Sequence, residues 1–209
     1  MSFAVGFSGG SGIAYGIRLV DTLLSSGHEV HLMSTDAALR VLKHEGGVDF
    51  SDAAQLAGLF EANQGRARLH VHDIAAVESA PASGSAGIAA TILCPCSMGT
   101  LARVAHGFSS NLIERSADVA LKEGRPLVVV PRETPLAEIH LKNMLELKRL
   151  GAVILPAMPG FYHRPKSVDD IVDFVVAKIL DTLGVESPIV QRWRTPESPS
   201  TSPWDEGEC

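Results

Sequence analysis

Six apolar runs of strand length, separated by stretches with helical periodicity, constrain this chain more than any other feature. Phe3–Phe7, Glu29–Met33, Leu69–His72, Ala89–Leu93, Pro126–Val130 and Ala152–Leu155 read as strands. Between them, Ile17, Leu19, Val20, Leu23 and Leu24 recur at helical spacing and stop at Ser25-Ser26-Gly27. Further helical patterns fall at Ala37–Leu42, Leu101–Ala105, Leu112–Leu121 and Ile139–Leu150, and a last one at about residues 168–183. Parallel strands need crossovers long enough to hold a helix, so this alternation predicts an α/β fold with a doubly wound parallel sheet. The 44–87 stretch is weakly periodic apart from its one strand. Hydrophobic residues make up 45% of the chain but aromatics only 5%, so the core is mostly aliphatic, as suits a sheet buried on both faces.

With 209 residues, no internal repeat and no linker, one domain is expected over residues 1–185. Residues 186–209 place Pro188, Pro196, Pro199 and Pro203 among Ser, Thr and Glu. They are expected to form an arm or a disordered tail, with Trp193 the residue to dock. A net charge of −6 argues against a nucleic-acid partner. No apolar run approaches the roughly 18 residues of a membrane helix. The start lacks a basic leader segment and reads as the first strand. Cys94, Cys96 and Cys209 form neither a disulfide ladder nor a CxxC pair, which fits a reducing cytoplasm.

In an open α/β sheet, ligands bind beyond the carboxyl ends of strands, beside helix N-termini. Ser8–Gly12, Ser34–Asp36, Cys96–Thr100 and Arg132–Thr134 fall at such ends. The first departs from GxGxxG, because Tyr15 holds the third glycine position. The second strand ends at Met33-Ser34-Thr35, without the acid that holds a ribose hydroxyl. A mononucleotide such as FMN, its phosphate cradled by Gly9, Gly10 and Ser11, suits the turn better than a dinucleotide. The bland alternative is a turn that merely joins strand to helix. Likewise, the hydroxyls at Ser97 and Thr100 serve either as helix caps or as ligand contacts.

Other motifs weigh less. Cys94 and Cys96 are expected to be buried small hydrophobes rather than ligands or nucleophiles. Asp169-Asp170-Ile171-Val172-Asp173 spells DDxxD, but at a helix start after Ser167 these acids suit the helix dipole better than a metal diphosphate. The eight histidines show neither HxxxH nor HExxH spacing, and no metal site is expected. Arg115, Lys122, Arg132, Lys142, Arg164, Lys166 and Lys178 concentrate in the C-terminal half, which reads as local anion affinity. Tyr15 and Tyr162 both sit beside candidate ligand loops.

Several stretches resemble, in consistent order, the UbiX-type flavin prenyltransferases. They are Gly9-Gly10-Ser11-Gly12-Ile13-Ala14-Tyr15-Gly16, Pro95-Cys96-Ser97-Met98-Gly99-Thr100-Leu101, Asn111-Leu112-Ile113-Glu114-Arg115, Pro131-Arg132-Glu133-Thr134-Pro135 and Pro159-Gly160-Phe161-Tyr162-His163-Arg164-Pro165. The resemblance spans about residues 3–185. It implies a Rossmann-like or flavodoxin-like single domain assembled as a homododecamer, with sites between subunits. The implied reaction joins dimethylallyl phosphate to reduced FMN across N5 and C6, without a metal, and supplies prenylated FMN to a UbiD-type decarboxylase.

By that pattern, Gly9, Gly10, Ser11, Thr35, Ser97, Met98, Gly99, Thr100 and Arg132 hold FMN, with Arg115 close by. Tyr162 and Lys178 hold the prenyl phosphate, with Lys122, Ser83 and Gly84 near the ligands. Glu133 handles a proton, and Ser11 and Lys122 join it as catalytic groups. The chain departs from the pattern where Gly10 replaces alanine, Thr35 replaces serine and Lys178 replaces arginine. The last matters most, because a lysine cannot grip a phosphate with two parallel hydrogen bonds. Two rivals share the fold. One is an FMN-dependent cysteine decarboxylase, whose Asn-containing PxMN segment is absent, Pro156-Ala157-Met158-Pro159 being the nearest stretch. The other is a non-catalytic FMN carrier, which would need no acid beside a second anion pocket.

Overall fold

A computed structural model describes residues 1–63, 67–186 and 189. The expectations for the tail, Trp193 included, lie outside the described residues apart from 186 and 189. Six strands form one sheet: β1 (Ser2–Phe7), β2 (Glu29–Ser34), β3 (Leu69–His72), β4 (Ala90–Cys96), β5 (Leu127–Pro131) and β6 (Val153–Ile154). Their order is β3-β2-β1-β4-β5-β6, and every pair is parallel. This is the doubly wound arrangement the alternation predicts, in the Rossmann strand order. The winding reverses between β1 and β4, which opens a crevice at their carboxyl ends.

The helices are α1 (Ile13–Ser25), α2 (Asp36–Gly46), α3 (Met98–Ala105), α4 (Leu112–Lys122), α5 (Glu138–Arg149) and α6 (Val168–Thr182). They cover the sheet from both sides. One core gathers Leu19, Leu23, Leu39, Leu42, Val175 and Ile179 from α1, α2 and α6 against Val5, Leu32 and Ile92. The other gathers Leu101, Ile113, Ala117 and Leu147 from α3, α4 and α5 against Ala4, Met33, Leu93 and Val129. Every residue of β4 and β5 is buried, which explains why these strands read as unbroken apolar runs.

The structure shifts several boundaries. β4 continues past the expected end at Leu93 to Cys96, which pairs with Pro131 after an irregularity in register. Pro95 has no N–H to give a ladder and sits within that irregular stretch. α2 runs one turn beyond Leu42, with Asp36 in its first turn and Lys43 and His44 in its last, each sign suiting the adjacent helix end. The weakly periodic stretch contains a 3-10 run at Ala53–Asn63, broken by non-helical backbone at Phe60. A three-residue repeat interrupted in this way leaves no 3.6-residue signature to read.

Candidate functional site

The three turns beyond β1, β2 and β4 interlock at the reversal point. Ser8, the residue after β1, donates through Oγ to the Pro95 carbonyl at 3.1 Å and accepts from the Ser97 amide at 2.8 Å. A side chain at Gly10 would press on the Cys96 carbonyl and Ser97 amide at 3.3 Å, and one at Gly9 would collide with the Ala37 methyl at 2.7 Å. The backbone there runs close against both neighbouring turns: a methyl at Gly9 would force a shift, while one at Gly10 would need its neighbours to give by a few tenths of an ångström.

Hydroxyls finish the helix ends around this cradle. Thr35 Oγ1 accepts from the Ala38 amide at 3.2 Å and caps α2. Ser97 Oγ accepts from the Thr100 amide at 3.3 Å, capping α3, and lies 3.2 Å from Thr100 Oγ1. Ser97 thus acts as a helix cap, one of its two open readings. Met98, Gly99 and Thr100 form the first turn of α3 beside it. Arg132 and Glu133 follow β5 into the same region, and the Arg132 amide donates to the Cys96 carbonyl at 3.4 Å. Glu133 turns back on its own loop, where Oε1 accepts from the Thr134 amide at 3.0 Å.

One participant escaped the sequence reading. Glu45, in the last turn of α2, accepts from the Gly12 amide at 2.9 Å and the Ile13 amide at 3.0 Å, the opening amides of α1. Burial pushes its pKa up, but hydrogen bonds from Ser11, Ile13 and Gly12 and the charge of Arg132 hold it below the ordinary value. An anion therefore already rests on that helix end. Nothing in the spacing announces it, because Glu45 is a lone acid 33 residues from Gly12. Tyr15 belongs to the same neighbourhood: burial raises its phenol, the nearby Cys94 thiol adds to that, and the charge of Arg132 opposes both.

The remaining site residues fall into two further groups. Tyr162 and Lys178 converge on Phe174, the tyrosine edge-on with ring centroids 5.6 Å apart and the lysine Nζ 5.8 Å from the ring centre. Ser83, Gly84 and Lys122 gather elsewhere, where Arg125 donates to the Gly84 carbonyl and Lys122 pairs with Glu123 at 3.5 Å. Lys122 closes α4 just before β5 begins, and Gly84 precedes β4, so this group lies at the amino ends of the strands. Arg115, also on α4, pairs with Asp118 at 3.0 Å. Within one chain, the fold separates the Lys122 group from the glycine cradle by the length of the sheet.

The bland readings hold for two motifs. Cys94 and Cys96 are fully buried, and burial pushes both thiols up, Cys96 to about 12. In DDxxD, Asp170 forms a capping box with Ser167, and Asp173 takes both ends of the Arg18 guanidinium, at 2.6 and 3.2 Å.

A glycine and hydroxyl cradle at the reversal point of a Rossmann-order sheet defines a flavoprotein class, and a family model described as Flavoprotein matches residues 2–180. The chain is 52% identical over 190 residues to the flavin prenyltransferase UbiX of Alkalihalophilus pseudofirmus, covering 90% of this chain and 94% of that one. It belongs to the flavin prenyltransferase UbiX family. Among solved structures, AnUbiX (PadA1) in complex with FMN and dimethylallyl pyrophosphate superposes with a TM-score of 0.84 at 37% identity, covering 94% and 98% of the two chains. A dodecameric FMN-dependent UbiX-like decarboxylase from Escherichia coli O157:H7 does so with 0.82 at 40% identity, covering 93% and 100%.

Proposed function

We propose that this chain is a flavin prenyltransferase that joins dimethylallyl phosphate to reduced FMN. Of the observations on this chain, the interlocked cradle of Gly9, Gly10, Ser97 and Thr35, with Arg132 at its rim, carries the reading most. Its backbone approaches closely enough for a flat mononucleotide to lie along it, and it offers hydroxyls, first-turn amides and one guanidinium rather than the acid a dinucleotide ribose needs. Gly9, Gly10, Ser11, Thr35, Ser97, Met98, Gly99, Thr100 and Arg132 would hold FMN, with Arg115 nearby. When bound, reduced flavin supplies the nucleophilic N5 and C6.

The protein's own part is to hold the second substrate and manage its leaving group. As the allylic C–O bond breaks, inorganic phosphate departs carrying negative charge, which fixed cations and donors stabilise. Lys178 and Tyr162, already gathered around Phe174, supply one cation and one hydroxyl. Lys122 supplies a second cation, with Ser83 and Gly84 beside it. Glu133 moves a proton between the reacting groups, and the Ser11 hydroxyl orients the phosphate. No step in this scheme calls for a metal ion.

Because Lys122 lies at the other end of its own sheet, the complete site draws it from a neighbouring copy. The exposed apolar residues Ile139, Leu141 and Leu145 on α5, with Met158 and Phe161 beyond β6, suit burial between such copies. A homododecamer is the assembly we assign. Among the described residues no helix is long and apolar enough to cross a membrane. We place the enzyme in the cytoplasm, supplying prenylated FMN to a UbiD-type decarboxylase.

The test is to incubate the protein with reduced FMN and dimethylallyl phosphate, with a parallel arm of dimethylallyl pyrophosphate, and weigh the flavin. A gain of one C5H8 unit supports the reading. Bound FMN that never gains mass in either arm overturns it in favour of a carrier or decarboxylase.

A further inference from the structure

The face of β2 and β3 that looks toward α4 carries a cluster outside the flavin site. Alternation along β2 puts Val30 and Leu32 into the first core, and turns Glu29, His31 and Met33 to the opposite face. The β2–β3 register sets His31 directly opposite His70, so His70 and His72 share that face. Leu69 and Val71 point the other way and pack on the first core, which Leu56 and Phe60 of the 3-10 run help to fill. Three imidazoles and a carboxylate thus meet at the sheet edge, where an aliphatic layer would be expected.

We infer that Glu29, His31 and His70 form a binding site for a divalent transition-metal ion, zinc foremost, with His72 orienting His31. One ligand atom from each of the three lies within 4.8 Å of the others. Tetrahedral zinc with bonds of about 2.0–2.1 Å needs its ligand atoms about 3.4 Å apart. His70 Nε2 and Glu29 Oε1 are already 2.9 Å apart, so these two must spread slightly while His31 draws in. Glu29 and His70 are part-exposed and free to make that adjustment, whereas His31 is buried and fixed.

The surroundings match what a metal-binding histidine requires. A ligating imidazole normally has its second nitrogen held by a hydrogen bond, which sets tautomer and ring orientation. His31 Nδ1 lies 2.9 Å from His72 Nε2, leaving His31 Nε2 as the ring nitrogen to ligate. The His31 ring lies nearly parallel to that of His70, with centroids 4.8 Å apart, and nearly coplanar with that of His72 at 5.1 Å, so all three are positioned by packing as well. Two imidazoles and one carboxylate are a borderline nitrogen and oxygen set, which favours zinc, cobalt(II) or nickel over magnesium or calcium. The charge of Arg68 also acts on Glu29, so affinity below that of an all-cysteine structural site is expected.

The site is distinct from the flavin cradle. Thr35 lies four residues beyond His31, about 13 Å further along the strand. A bound ion would tie β3, an edge strand, to β2.

The experiment is calorimetric titration of the full chain with zinc sulfate after dialysis against a chelator, and cobalt(II) titration followed by visible absorption. One zinc per chain is expected, together with the intense visible bands of a low-coordinate cobalt(II) ion. His70→Gln and Glu29→Gln should each weaken zinc binding at least about tenfold, and His72→Phe about tenfold by releasing His31. His44→Gln, at an exposed position on α2, should leave binding unchanged. Both principal substitutions fall at part-exposed side chains, and thermal melts establish that each variant is folded. Absence of saturable zinc binding overturns the inference. So does stoichiometric binding that His70→Gln and Glu29→Gln leave intact. Because the metal alone is the probe, this outcome is independent of whether flavin prenylation occurs.

Discussion

At the carboxyl end of the sheet, polar groups are locked to backbone far away in sequence, whereas the amino end mixes one such link, Arg125 to the Gly84 carbonyl, with a lysine that pairs beside itself. Ser8 bridges Pro95 and Ser97 across 87 and 89 residues, and Glu45 clamps Gly12 across 33. Lys122, by contrast, pairs with its neighbour Glu123, and the lysine side chain stays 49% exposed. The carboxyl end is therefore shaped before any ligand arrives, which saves ordering entropy on binding. The amino end leaves the Lys122 side chain outward, as the proposed sharing of a site between copies requires. A symmetric assembly can close one chain's cradle with another chain's cations.

The interlocking of the carboxyl end depends on α3 and α4 keeping their places, and one buried acid secures them. Glu114 is fully buried and is held by Arg103, the Asn111 side-chain amide at 2.9 Å and the Ser110 amide at 2.9 Å. Arg103 in turn reaches Thr100 Oγ1 at 3.3 Å, in the first turn of α3. Glu114→Ala leaves the Ser110 and Asn111 donors unmet, while the 44% exposed Arg103 turns to water, and should cost about 3 kcal/mol. Urea melts would check this. A loss under about 1 kcal/mol would mean that the cradle stands without this anchor.

The division between the two ends is best broken by mixing variants. Arg132→Ala removes the cation at the carboxyl end and Lys122→Ala the one at the amino end. Each alone should lower prenylation about 100-fold, or about 2.7 kcal/mol in the barrier. Co-expressed in equal amounts, they should restore about a quarter of wild-type activity, because a quarter of randomly mixed sites draw both intact residues from different copies. Mixed assemblies no better than the single variants would show that each site takes Arg132 and Lys122 from one chain.

The same two ends differed in how far the sequence disclosed them. The sheet, its helices and the four carboxyl-end turns were legible because strand-length apolar runs alternate with 3.6-residue periods. The crossover order then leaves little choice of where turns gather. The separation of Lys122 from the cradle followed only once β4 and β5 were placed, since the family pattern names residues without saying which copy supplies them. Glu45 is invisible in the sequence because its role depends on where the last turn of α2 ends, and the apolar period there stops at Leu42, one turn short of Gly46. The histidine face is legible only in part, because His70 and His72 alternate on one strand but their meeting with His31 is hidden for a related reason. HxxxH spacing tests one helix, whereas His31 and His70 meet across a strand register 39 residues apart in sequence.

Alkali probes the floor of the carboxyl end. Cys96 ends β4 beneath the cradle, and burial raises its thiol from 9.0 to about 12. A raised folded pKa means that the neutral thiol is favoured in the fold. That stability is complete below pH 9 and is lost as pH rises toward 12. Between pH 9 and 10.5 the loss should be about 2 kcal/mol. Cys96→Ala should show a correspondingly shallower alkaline decline in denaturant melts. Peptide mapping after iodoacetamide at pH 8.5 should find Cys94 and Cys96 unmodified in the folded protein. Rapid labelling of either would place that thiol at the surface.

The smallest effect is expected on the outer face, where α1 and α6 enclose a cavity of about 410 Å³ lined in part by Arg18, Asp169 and Asp173. This is where DDxxD would act if it held a metal diphosphate. Asp173 instead grips Arg18, whose side chain is 42% exposed, so water screens much of the attraction. Asp173→Asn keeps the shape and removes the charge. It should cost less than about 1 kcal/mol of stability and leave prenylation within about twofold of wild type, since the Arg18 pair touches neither the cradle nor the Tyr162 group. A large loss of activity with unchanged stability would move the diphosphate chemistry to this face and make the carboxyl-end cradle a flavin seat alone.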